Sequence, residues 1–175
     1  MINGILVPGG TGRIGTLHDI AWEVLADRTA HVETIEWETP RDDLEPFVRA
    51  QVEAALDRAA EVAPRARPVL IAKSLGTLAA GLAADRSLPA IWLTPMLTRP
   101  DVAEAIAKNP APQLLIGGTA DHRWWDAEAA RNTGKEILTI QDGTHSLRVP
   151  GPIRNFTDVL GTVGTAIEKF LDALD

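Results

Sequence analysis

The sequence predicts an α/β fold: a three-layer α/β/α sandwich around a mostly parallel sheet of about six strands. Three observations carry this. Short apolar runs alternate with helix-period segments along the whole chain. Several of the runs are rich in Val, Ile and Leu, which suits strands buried on both faces. The residues that carry chemistry stand just past the runs, where open parallel sheets gather their sites.

The runs are Gly4–Val7, Val32–Trp37, Val69–Ala72, Ala90–Thr94, Gln113–Ile116 and Glu136–Ile140. After the first comes Leu17, Ile20, Ala21, Val24 and Leu25, a helical stripe with Asp19, Glu23 and Asp27 on the other side. Pro40 to Val62 repeats the stripe with Leu44, Phe47, Val48, Val52, Ala55, Leu56 and Ala59. The third run leads into a helix from Leu75 to Asp85 that is rich in Gly and Ala, so it packs close to the sheet. The last helix spans about Asn155 to Leu174, and Pro150-Gly151-Pro152 punctuates its start. No linker, repeat or low-complexity stretch divides residues 1–175, which read as a single domain.

Composition narrows the function. With 17 Lys and Arg against 24 Asp and Glu, the net charge is −7, and the cations are scattered, so nucleic acid is not an expected partner. The chain has no Cys, which excludes disulfides, thiolate catalysis and cysteine-ligated metals. No segment reaches the roughly 20 apolar residues that span a bilayer. No secretory signal opens the chain, so a cytoplasmic location and no membrane partner are expected.

The third run continues Val69-Leu70-Ile71-Ala72-Lys73-Ser74-Leu75-Gly76-Thr77. A strand, small-x-Ser-x-Gly and a helix follow in that order. Small residues are needed two positions either side of such a Ser, because the strand-to-helix turn is tight. Ser is also a common helix cap, so the motif alone leaves both roles open. Past the fifth run stands Gly117-Gly118-Thr119-Ala120-Asp121, and past the sixth Asp142-Gly143-Thr144-His145-Ser146-Leu147.

These three segments resemble the nucleophile elbow, acid loop and histidine loop of the α/β-hydrolase superfamily, with Ala72 where the elbow has its first Gly. The resemblance runs from the first strand to the last helix. It is similar to small bacterial serine hydrolases with a minimal fold and no cap domain, because no insertion follows the fourth strand. It implies a Ser74, Asp121 and His145 triad, in the family's chain order. His145 would take the proton of Ser74, and Asp121 would hold the imidazole's tautomer. Asp142, three residues before His145, is the alternative acid.

The first run ends Val7-Pro8-Gly9-Gly10-Thr11-Gly12-Arg13-Ile14-Gly15. This stretch admits two readings. Gly9, Gly12 and Gly15 have the spacing of an NAD(P)-binding glycine fingerprint, but no acid stands in a convincing ribose-binding context after the second run, Glu36 and Glu38 being the nearest. The chain also has no Tyr, so the Tyr-x-x-x-Lys pair of short-chain dehydrogenases is impossible. The hydrolase resemblance instead implies an oxyanion loop, with Leu75 as one backbone donor and Gly10 as the other, Thr11 being the alternative. Pro8 stands where that family often has His.

The resemblance implies an ester or related acyl bond in a small molecule as substrate, with no cofactor. Met96, Leu97 and Trp124 are expected to line the substrate side. His122 and Asp126 give no convincing metal set, and Lys73 reads as a solvated neighbour. A non-catalytic binding module on the same fold, or a nucleotide-dependent oxidoreductase, are the rivals. The sequence does not address oligomeric state.

Overall fold

A computed structural model describes residues 1–174. Six parallel strands form one sheet in the order β2-β1-β3-β4-β5-β6. They are β1 (Ile2–Val7), β2 (Thr29–Thr34), β3 (Arg67–Lys73), β4 (Ala90–Leu93), β5 (Gln113–Gly118) and β6 (Glu136–Ile140). The helices are α1 (Thr16–Leu25), α2 (Leu44–Val62), α3 (Ala80–Asp85), α4 (Pro100–Lys108), α5 (Ala127–Asn132) and α6 (Ile153–Asp172).

Alternate residues of each inner strand feed two cores. Leu70, Ala72 and Trp92 pack with α2, α3, α4 and α5, while Val69, Ile71 and Leu93 pack with α1 and α6. Parallel strands need helical crossovers, and placing them on both faces buries every inner strand twice. The expected three-layer sandwich is therefore the observed fold.

Three elements differ most from expectation, and one is α2, which begins at Leu44 rather than Pro40. β2 begins and ends three residues before the predicted run. It is the edge strand, half-exposed along its length, so pairing with β1 rather than apolarity sets its limits. Ile35 and Trp37 leave the strand and pack on the first core instead. The predicted helix from Leu75 is a 3₁₀ helix over Ser74–Ala79 that relaxes into α3.

The chain reverses direction across the sheet at β1, which has β2 on one side and β3 on the other. A topological switch point thus lies between the carboxyl ends of β1 and β3, where such sheets hold their ligands. Among the described residues no helix is long and apolar enough to cross a membrane.

Candidate active site

Ser74 stands at that switch point. Its φ is +50°, in the left-handed region that a non-glycine residue occupies at a cost of about 1–2 kcal/mol. The turn is held open by what surrounds it. Thr77 donates its hydroxyl to the Ser74 carbonyl at 2.6 Å, and the Met96 amide donates to the same Thr77 oxygen at 3.3 Å. Gly76 lies against β1: a Cβ there would sit 2.6 Å from the Pro8 carbonyl oxygen. That close approach is the physical reason for Gly two places after the Ser.

His145 reaches this hydroxyl from the loop after β6, with Nε2 2.7 Å from Ser74 Oγ. Its Nδ1 lies 2.5 Å from Asp121 Oδ2. A carboxylate only accepts, so Nδ1 carries the proton and Nε2 is free to accept from the Ser74 hydroxyl. Asp121 is buried, and its other oxygen accepts the Trp124 amide at 3.3 Å.

The acid and histidine loops are laced together. Ala120 N–H donates to the Gly143 carbonyl at 2.9 Å, Thr119 N–H to Ile140 at 3.0 Å, and Asp142 N–H to Thr119 Oγ1 at 2.8 Å. Leu147, fully buried at φ +59°, pins the histidine loop into the core shared with α1 and α6. Asp142, the alternative acid, is exposed in this turn and accepts from Gln141. Its carboxylate makes no bond to His145.

The first loop faces the same place. A Cβ on Gly9 would lie 3.3 Å from Ser74 Cβ. Gly12 turns at φ +73°, and a side chain there would collide with the Trp37 backbone. Close approach of Ser74 and of Trp37 thus accounts for Gly9 and Gly12 of the fingerprint-like spacing. Gly10 is exposed, and neither its N–H nor that of Thr11 has an acceptor among the described residues. Leu75 occupies the first turn of the 3₁₀ helix, where backbone N–H groups lack helical partners.

His18 on α1, which the sequence gave no reason to single out, fastens this loop. Its Nδ1 accepts the Gly15 N–H at 3.3 Å, so Nε2 carries the proton and donates to the Val7 carbonyl at 2.9 Å. The side chain is fully buried, and burial pushes its pKa below the ordinary imidazole value. Lys73, read from sequence as solvated, is half-buried; burial lowers its pKa while the charge of Asp121 pulls it back. A cavity of about 550 Å³ opens between the glycine loop, Ser74 and His145.

Three expected substrate contacts do not reach that cavity. Met96 and Leu97 are buried at 4% and 2% exposure. The short loop after β4 turns them into the first core, and its backbone is tied to Thr77 and to the Trp124 carbonyl. Trp124 is half-buried, carries Arg123 stacked 4.7 Å from its ring centre, and meets Asp121 only through its backbone. Met96 and Leu97 thus face the core, and none of the three lines this cavity. No group of three or more His, Asp or Glu side chains gathers as a metal's donor set among the described residues.

No family model and no curated protein matches the sequence. Solved structures do match the fold. An α/β serine hydrolase without lid from Xanthomonas campestris superposes with a TM-score of 0.69 at 16% identity, covering 97% of this chain and 82% of its own. Est1E from Butyrivibrio proteoclasticus gives 0.74 at 16% identity, over 97% and 86%. A monoacylglycerol lipase from Paleococcus ferrophilus gives 0.66 at 14%, over 93% and 94%. At such identities the likeness speaks for architecture, and the chain has the α/β-hydrolase fold.

Proposed function

We propose that this protein is a serine hydrolase that cleaves an ester or related acyl bond in a small molecule through a covalent acyl-enzyme. The observation that carries the reading is the unbroken hydrogen-bond chain from Ser74 Oγ through His145 to buried Asp121. The likeness in fold to a serine hydrolase, an esterase and a lipase adds support.

In this reading Ser74 Oγ attacks the acyl carbon while its proton passes to His145 Nε2. The carbonyl becomes a tetrahedral oxyanion, which the N–H groups of Leu75 and Gly10 stabilise. The bond to the leaving alkoxide then breaks, and His145 returns the proton to it. Water, deprotonated by His145, attacks the acyl-enzyme, and collapse restores Ser74 and releases the acid. Asp121 holds Nδ1–H and stabilises the transient imidazolium. The chain acts as one domain without a cap, and no cofactor enters any step.

Pre-steady-state hydrolysis of short 4-nitrophenyl esters tests this. A burst of nitrophenol near one equivalent, absent in Ser74→Ala, is expected. A folded wild type without turnover would make the protein a binding module on a hydrolase fold.

A further inference from the structure

We infer that the substrate carries an anionic group, such as a carboxylate or phosphate, which the cavity beside Ser74 receives; this rests on the serine hydrolase reading. The chain as a whole is acidic, with 24 carboxylate residues against 17 cations. The cavity reverses that sign. Lys73, Arg13 and Arg148 line it, and no Asp or Glu does.

None of these three cations has a carboxylate partner among the described residues. Lys73 is the most telling. It is half-buried one residue before Ser74, its ammonium makes no hydrogen bond, and the carboxylate whose charge reaches it, Asp121, is engaged by His145. Desolvating an ammonium without a partner is costly, and an anion entering the cavity would offset that cost. The Arg148 guanidinium lies over the Phe156 ring, 4.5 Å from its centre, and both residues line the cavity. Thr16 and Leu17, in the first turn of the ten-residue α1, also face the cavity, so the positive end of a helix dipole adds to the field. Asp19, whose charge reaches His18, lies outside the lining.

Guanidinium groups and a lysine around one opening suit a carboxylate or phosphate by charge-assisted hydrogen bonds. The anion can sit on the acyl side or on the leaving alcohol, and matched ester pairs separate the two. One arm compares 4-nitrophenyl hemisuccinate with 4-nitrophenyl pentanoate. The other compares the butyrate ester of 4-hydroxybenzoate with that of 4-hydroxybenzamide. In one arm the wild type should favour the anionic member by about tenfold in kcat/KM at low salt. That ratio should shrink as salt screens the charges, and fall several-fold in the Arg13→Met/Arg148→Met double variant. Both arginines are exposed, so the double variant keeps its core.

Ser74-dependent turnover of the neutral esters with no anionic preference in either arm would overturn this inference and leave the serine hydrolase reading standing. A preference that survives both salt and the double variant would also overturn it. Failure of all four esters, or turnover that persists in Ser74→Ala, would sink the serine reading and this inference with it.

Discussion

Gly118 at the end of β5 is pressed against the backbone of Gly143 so closely that no side chain fits between them. This contact sets the distance between the loop that carries Asp121 and the loop that carries His145. Gly118→Ala should therefore push the loops apart. We expect a stability loss of about 1–3 kcal/mol, the usual size for forced overpacking, read from urea unfolding. Esterase kcat should fall with it, because the Asp121–His145 bond depends on that spacing. A variant with wild-type stability and kcat would contradict this account of the loops.

The two acidic candidates give opposite expectations. Asp121→Asn should lower kcat by about 10⁴, the size seen for a triad acid elsewhere, because an amide favours the wrong imidazole tautomer. Asp142→Asn should cost less than about tenfold, since its carboxylate only meets Gln141 in an exposed turn. Steady-state kinetics on one ester separates them, and the reverse ranking would reassign the acid.

Gly10→Pro removes one backbone N–H from the loop that faces Ser74. If that N–H binds the oxyanion, kcat should drop by about 10² to 10³ with little change in KM. An unchanged kcat would move the donor to Thr11 or away from this loop.

Much of this arrangement was legible in the sequence, for reasons specific to each residue. Ser74, Asp121 and His145 each follow an apolar run, and a parallel sheet brings such positions to one edge, so their meeting followed from chain order. Met96 and Leu97 also follow a run, yet they face the core. The direction of a side chain in a six-residue loop depends on backbone bonds to Thr77 and Trp124 that are distant in sequence. His18 and Leu147 were illegible for a related reason. One sits in a helical stripe and the other beside the histidine, and only burial reveals that they anchor loops. Lys73 reads from sequence as a solvated neighbour of Ser74, whereas it is the half-buried last residue of β3.

His18 gives a pH-dependent consequence. Its folded pKa is depressed by burial, so below about 6.5 the unfolded chain binds a proton that the folded one resists. Its contribution to stability is thus full above that value and is lost as pH falls toward the folded pKa. Unfolding free energy should decline from pH 7 to pH 5 more steeply in the wild type than in His18→Gln. Parallel pH profiles for the two proteins would contradict a neutral, buried His18.

The central claim is that Ser74 is a nucleophile activated by His145, and covalent capture tests it most directly. The folded protein is incubated with a fluorophosphonate at neutral pH, and the adduct is located by peptide mass spectrometry. The account predicts a single modified residue, Ser74, with labelling slowed strongly in His145→Gln and absent in Ser74→Ala. Labelling at another serine, or none in a folded wild type, would contradict it.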